Sequence, residues 1–127
     1  MKLFVKGIKS TDNISEHIDN RVSVSLAKNE PLVLHITVVD SAGHPVAIND
    51  PDTFIAAAVY RKGGSSRIGY GSSLNTSPAR QKDGVVEITL TMNSNVEPGE
   101  YMWNITYQDE TGNVYRLMDW SSFVLRK

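Results

Sequence analysis

The sequence contains no cysteine, which excludes disulfides, thiolate nucleophiles and cysteine-based zinc sites. It also has no apolar run close to the roughly 20 residues of a membrane-spanning helix. The N-terminal segment lacks the apolar core of roughly 7 to 15 residues that is typical of a secretion signal. We therefore expect a protein without a signal peptide that is made in a cytoplasm, has no membrane partner and is stabilised by packing.

Excess charge of either sign is also missing. The 127 residues include 13 Lys and Arg and 14 Asp and Glu, for a formal net charge of -1. Nucleic-acid binders usually carry a net positive field, so we expect no nucleic-acid partner. The length is that of one domain, and 40% apolar with 21% charged residues is ordinary for a globular protein.

Alternation of apolar and polar residues dominates the chain and predicts half-buried strands. It is clearest at residues 32–38, 85–92 and 101–107. In the third segment, three aromatic residues and an isoleucine alternate with polar or flexible neighbours, which predicts the centre of the core. These four residues are Tyr101, Trp103, Ile105 and Tyr107. Trp103 and Trp120 are both candidates for large core anchors, and the pattern does not say which is buried.

Weaker patterns predict further strands, separated by turns rich in Gly, Asp and Asn. They lie at residues 3–8, 22–26, 54–61, 67–73 and 115–125, the last with an irregularity near Asp119 or Ser121. Short helical turns are possible at residues 12–21 and 93–97, and the Gly- and Ser-rich residues 63–77 are predicted to form a mobile loop. Seven to nine strands in one chain predict an all-β protein, an immunoglobulin-like antiparallel β-sandwich. Residues 1–20 would form an N-terminal strand or extension and residues 21–127 the sandwich, within a single domain.

Candidate catalytic and metal-binding groups are scattered. The three histidines, His17, His35 and His44, show no paired spacing, which favours surface positions over a metal site. Asp40, Asp50 and Asp52 could converge on calcium, or could simply form turns. No serine lies in a nucleophile motif and no glycine pattern fits a dinucleotide. We expect no enzymatic activity, no catalytic residue, no metal, no cofactor and no small-molecule substrate.

Charge is patterned along the chain. The window 61–82 contains five basic residues and no acidic one, whereas the segment around residues 97–110 is acidic. The basic residues are Arg61, Lys62, Arg67, Arg80 and Lys82, and the acidic ones are Glu97, Glu100, Asp109 and Glu110. If the two regions lie on different sides of the molecule, one copy's basic loop could meet another copy's acidic edge, so the basic set is a candidate assembly interface. The alternative is a pair of solvated loops.

Two segments carry a family resemblance. LAKNEPLVLHITVVDSAGHPVAI and NSNVEPGEYMWNITYQDETGNVYRL, followed by a Phe-Val-Leu strand, contain the patterns D-x-x-G-x-P and P-G-x-Y. Over most of residues 22–126 the chain resembles the immunoglobulin-like modules of tailed-phage virion proteins, in particular the N-terminal module of baseplate upper and tail-fibre attachment proteins. Those modules usually continue into a linker, whereas this sequence ends at Lys127, which implies a stand-alone subunit.

The resemblance implies a non-enzymatic structural protein of the virion, in the tail, baseplate, fibre attachment or head surface. Its partners would be other virion proteins and copies of itself. An N-terminal strand could then pair with a neighbour's edge or simply belong to its own sheet. The alternative is a carbohydrate-binding or adhesive module of a bacterial surface protein, which needs an exposed aromatic platform with a flat, solvent-facing surface. The candidates for that surface are Tyr60, Tyr70, Tyr115 and Trp120.

Overall fold

A computed structural model describes residues 1–9, 21–40, 42–46, 48, 52–75, 81–82, 85–93 and 95–127. The described chain is all-β, as predicted, with a single 3-10 turn at Ser73–Asn75. No helix in these ranges is long and apolar enough to cross a membrane. The described residues form ten strands: β1 (Lys2–Lys9), β2 (Val24–Ala27), β3 (Leu32–Asp40), β4 (Phe54–Arg61), β5 (Arg67–Ser72), β6 (Gln81–Lys82), β7 (Val85–Met92), β8 (Gly99–Gln108), β9 (Val114–Arg116) and β10 (Ser121–Arg126).

Hydrogen bonds connect the described strands into one continuous sheet in the order β1-β3-β7-β5-β4-β8-β10-β2, with β6 paired to β7 and β9 to β8. The strands β1 and β2 therefore lie at the two ends of the sheet. The sheet curls far enough for its first strand to approach the segment after β9, because a Cβ added to Gly7 would lie 2.8 Å from the Cβ of Leu117. One connected sheet thus wraps around one core.

The core is built from the inward-facing alternate residues of eight strands. The predicted inward positions of β3 are confirmed, since Leu32, Leu34 and Ile36 are fully buried. The predicted aromatic centre is confirmed as well, because all four of its residues on β8 are buried. Because successive side chains of a strand point to opposite faces, the same pattern directs the other residues of β8 outward.

Trp103 is the buried tryptophan. Its side chain is fully enclosed, its indole N–H donates a 2.8 Å hydrogen bond to the carbonyl oxygen of Val22, and its ring lies edge-on to Phe123 at 5.9 Å between centroids. The polar end of the side chain is thus satisfied while its apolar body fills the core. Trp103 therefore joins β8, β10 and the residue that leads into β2.

The junction between β5 and β7 joins two halves of the sheet, one that contains β1, β3 and β7 and one that contains β5, β4, β8, β10 and β2. It consists of two register pairs, Gly69 with Met92 and Tyr70 with Thr91. A Cβ on Gly71 would lie only 2.6 Å from the carbonyl oxygen of Thr89, a contact that real Cβ atoms do not make. Glycine at position 71 therefore permits β5 to lie against β7, which is the close backbone approach that glycine allows within a strand.

The pairing differs from the predicted antiparallel sandwich at both ends of the sheet. The pair β1 with β3 is parallel, and so is the pair β2 with β10, so the prediction of purely antiparallel strands is wrong there. Apolar and polar residues alternate in the same way in parallel and antiparallel strands, so the sequence pattern does not distinguish the two kinds of pairing. The immunoglobulin-like sandwich stays a prediction, because the described strands form one connected sheet.

Three local predictions also need adjustment. The predicted final strand is divided into β9 and β10 by residues 117–120. This interruption confirms the irregularity predicted near Asp119 or Ser121. Residues 63–77 are not one loop, since Arg67–Ser72 forms β5. No helical turn is present in the described residues between 93 and 97, where Asn95 has a φ of 68°. The other predicted helical turn, residues 12–21, lies outside the described residues apart from Arg21.

Candidate binding surfaces

The outer face of β4 and β8 is concave. We call this concavity the outer groove; its floor is formed by Ala56, Ala58, Asn104 and Thr106, and its volume is about 570 Å³. Register pairs Ala58 with Asn104 and Ala56 with Thr106 across the two strands. The floor is low because the outward positions at the centre of β4 are alanines, which place a single methyl group where a longer side chain would fill the space.

Aromatic side chains rise on both sides of this floor. Tyr60 and Trp120 meet edge-on, with ring centroids 5.5 Å apart and an angle of 77° between their planes. On the β5 side, the guanidinium of Arg67 lies 4.1 Å from the centroid of the Tyr70 ring. Trp120 is 36% exposed. The outer groove therefore has aromatic walls and a small, partly polar floor.

Trp120 is held in place by the irregular segment between β9 and β10. The Asp119 carboxylate accepts a 2.8 Å hydrogen bond from the Trp120 backbone N–H and forms ion pairs with Arg21 at 3.3 Å and Arg116 at 3.5 Å. The Trp120 hydrogen bond is the main cause that lowers the pKa of Asp119, with both arginines adding to it. The segment that interrupts the final strand is therefore an ordered support for the exposed indole.

The hairpin between β8 and β9 closes the far end of the outer groove, where Gln108 and Val114 lie. It is organised by Asp109, whose Oδ1 accepts hydrogen bonds from the Thr111 hydroxyl at 2.7 Å, the Thr111 N–H at 3.0 Å and the Asn113 N–H at 2.9 Å. Gly112 adopts a φ of 88°, which suits glycine. These bonds, with that of the Thr111 hydroxyl foremost, lower the pKa of Asp109.

Asp109 gives the hairpin a predicted acid sensitivity. A group whose pKa is lowered by folding stabilises the folded state above its unfolded pKa, about 3.9 for Asp, and this stabilisation is lost as the pH falls from there through the lower folded pKa. Asp109→Asn removes the ionisation but keeps an acceptor oxygen. We therefore expect the free energy of unfolding of this variant, measured by urea titration, to fall less steeply across that window than that of the wild type.

Thr111→Val tests the cause directly. It removes the hydroxyl donor and leaves the two backbone donors in place, so the pKa of Asp109 followed by carboxyl NMR should rise towards its ordinary value. An unchanged Asp109 pKa in this variant would contradict the assignment of the hydroxyl as the main cause.

A second surface lies along β1, which has a paired strand on one side only within the described residues. Outward-facing Phe4 is 76% exposed, although its ring stacks on His35 with a centroid distance of 4.7 Å. Ile8 on the same face is 43% exposed, and Lys2 and Lys6 alternate with these two residues. An open strand with apolar side chains on its outer face can pair with another chain.

The predicted basic interface is only partly described. Arg61, Lys62 and Arg67 are exposed around the turn between β4 and β5, whereas Arg80 and the side chain of Lys82 lie outside the described residues. The Lys62 ammonium lies 3.3 Å from a carboxylate oxygen of Glu100 in the same chain. Lys62 and Glu100 therefore lie on the same side of the molecule and pair with each other. The assembly interface formed by the basic residues stays a prediction.

The candidate metal ligands do not converge in the described part of the chain, where no group of three or more His, Asp or Glu could hold an ion. His35 lies outward on β3, as predicted, but beneath Phe4. The Asp40 carboxylate accepts hydrogen bonds from the N–H groups of Ala42 and His44, so it forms a turn. His17 and Asp50 lie outside the described residues.

Of the four candidate aromatics, Tyr60, Tyr70 and Trp120 line the outer groove. Tyr115 instead packs against the core and lies 6.1 Å from Tyr107 between ring centroids. The sequence patterns described above do not predict the groove floor. The signal for it was the run Phe54–Arg61, in which the outward positions contain small and aromatic residues but no charge before Arg61.

Comparison with known proteins gives little further information. No protein-family model and no curated protein sequence matches the chain. Among solved structures, the chain is similar to the N-terminal domain of phage TP901-1 ORF48, with 14% sequence identity, a TM-score of 0.48, and coverage of 98% of this chain and 99% of that chain. This similarity is too weak to transfer the role of any residue.

Proposed function

We propose that this protein is a non-enzymatic structural component of a tailed-phage virion, which assembles with neighbouring virion proteins or further copies of itself through the open edge of β1. The proposal combines the sequence resemblance to phage virion modules with one structural observation. That observation is the 76% exposure of Phe4 on an edge strand whose second side is unpaired in the described part of the chain.

Strand addition is the contact that this edge suits. An extended segment of a neighbour would add main-chain hydrogen bonds along the eight residues of β1, a length of about 26 Å, and specificity would come from alternate side chains. Phe4 and Ile8 supply apolar contacts, while Lys2 favours an acidic residue on the partner, and Lys6 already has an interaction within this chain. These lysines also discourage indiscriminate pairing, as charges on edge strands commonly do.

The inner face of β1 is attached to the rest of the protein. On its inner face β1 buries Val5 in the core, and the Lys9 ammonium lies 4.9 Å from the centroid of the Tyr115 ring and 5.3 Å from that of Tyr107. The edge is therefore attached to the sheet through both its hydrogen-bonded partner and its inner side chains. A partner would meet a preformed strand, which reduces the ordering cost of association.

Phe4→Asp tests the edge. The substitution places a carboxylate at the centre of the proposed contact, and we expect it to reduce the number of copies per virion at least about tenfold, as for the loss of an interface hot spot. Copies would be counted by quantitative mass spectrometry of gradient-purified particles. The particles would come from a phage, or an induced prophage, that encodes the variant.

Ser25→Asp is the matched control, because Ser25 is an exposed residue on β2, the strand at the opposite end of the sheet. It introduces the same charge and should leave incorporation unchanged. Equal incorporation of Phe4→Asp and wild type would contradict assembly through β1.

A further inference from the structure

The outer groove has unusually apolar residues on the face of β4 that points away from the core. Outward positions of a strand on a solvated face are normally polar, yet the four outward residues of β4 are Phe54, Ala56, Ala58 and Tyr60. Ala58 is only 7% exposed although it points away from the core, because its neighbours stand above it. We propose that the outer groove is a binding site for a short oligosaccharide, a function separate from assembly through β1.

The dimensions suit a few sugar rings. Across the sheet, Tyr70 on β5 pairs with Ala58 on β4, which pairs with Asn104 on β8, and Trp120 lies beyond β8. Three strand spacings separate the backbones at Tyr70 and Trp120 by about 14 Å, and the space between their side chains is narrower because the Trp120 ring contacts Tyr60 on β4. The volume of about 570 Å³ lies within the usual range of small-molecule sites.

The lining presents the two kinds of contact that a sugar ring needs. Aromatic faces pack against the C–H faces of a pyranose, and the exposed indole of Trp120 and the ring of Tyr70 stand on opposite sides of the floor. Because Tyr60 and Trp120 are nearly perpendicular, these rings form walls and not a flat platform. A ring inserted between the walls would be contacted from the side and from below.

Hydrogen-bonding capacity runs along one side of the groove. Asn104, Thr106 and Gln108 follow one another on the outward face of β8, about 7 Å apart. Within the described residues their side chains make no hydrogen bond with one another or with neighbouring groups. Amide and hydroxyl groups both donate and accept, which matches the hydroxyl groups of a sugar.

Charge favours a saccharide over a polyelectrolyte or a basic peptide. The lining contains one charged residue, Arg67, and no acidic residue. A single guanidinium provides too little charge for a nucleic-acid backbone, and a basic peptide would have no carboxylate to pair with. A neutral lining complements a neutral ligand, or one with a single acidic group placed beside Arg67.

The experiment uses the full chain and a glycan array of neutral and acidic oligosaccharides. The glycan with the strongest signal is then titrated by isothermal calorimetry. We expect binding to at least one glycan, and we expect Trp120→Ala to raise its dissociation constant at least about tenfold through the loss of the aromatic contact. Asn104→Ala, a milder change in the floor, should also weaken binding, and Ser25→Asp should not.

Three outcomes would overturn the proposal. They are no binding across the array, binding that is unaffected by both groove variants, and a wild-type oligomer in sedimentation velocity that Trp120→Ala dissociates, because the occupant would then be a second copy. None of these results depends on β1, and the incorporation defect of Phe4→Asp does not depend on the outer groove. Failure of one proposal is therefore distinguishable from failure of the other.

Discussion

Gly71→Ala is expected to lower the free energy of unfolding by about 3 kcal/mol and the melting temperature by roughly 10 °C. The added methyl group would lie 2.6 Å from the Thr89 carbonyl oxygen, 2.9 Å from the Ile88 Cγ2 atom and 3.2 Å from the Leu90 Cα atom. Two of these three atoms are backbone atoms of β7, so relief requires the strands to separate. Because β5 and β7 connect the two halves of the sheet, that movement weakens the junction itself.

Two other glycines supply a graded control. Gly69→Ala would place its Cβ 2.6 Å from the sulfur of Met92, the end of an adaptable side chain, and should cost only about 1 kcal/mol. Gly64→Ala meets nothing closer than the Arg61 Cβ at 3.5 Å and should be close to neutral. Chemical denaturation of the three variants would give this order, and equal stability of Gly71→Ala and Gly64→Ala would contradict the close approach of β5 to β7.

Trp103→Ala is expected to destabilise the fold by about 4 kcal/mol, the usual cost of removing a fully buried aromatic side chain. Part of that cost is the cavity between β8 and β10, where the ring contacts Phe123. Another part is the hydrogen bond to the Val22 carbonyl oxygen. Trp103→Phe keeps most of the ring volume but loses this donor, so we expect an intermediate loss of about 2 kcal/mol.

Trp120→Ala is the matched control, since it deletes the same side chain from the surface. Its expected cost is about 1 kcal/mol, mainly from the edge-on contact with Tyr60. Urea denaturation followed by far-ultraviolet circular dichroism compares the two variants without relying on tryptophan fluorescence. A cost for Trp120→Ala as large as that for Trp103→Ala would contradict the assignment of Trp103 as the core anchor.

The sequence predicts the strands well, because a strand with one buried face has apolar residues at every second position. The buried residues of β3 and the alternation along β8 show this, and the predicted segment Phe54–Arg61 matches β4. The sequence does not predict which strands pair with each other. The partner of β1 depends on where distant residues lie in space, and nothing in residues 2–9 distinguishes a parallel neighbour from an antiparallel one.

The outer groove was harder to predict for a physical reason. Its floor depends on Ala56 and Ala58 lying beside Asn104, and that register is set by the pairing of β4 with β8 across more than forty residues of chain. Trp120 reaches the groove only because residues 117–120 interrupt the final strand. Residue types alone suggested aromatic candidates, whereas the structure separates Tyr115 from the other three.

The structural role is tested most directly by mass spectrometry of density-gradient-purified particles from a phage, or an induced prophage, that encodes the wild-type chain. The proposal predicts that peptides of this chain band with the particles at a fixed ratio to the major capsid protein and remain after a high-salt wash. Peptides found only in the soluble fraction of lysates that contain intact particles would contradict it.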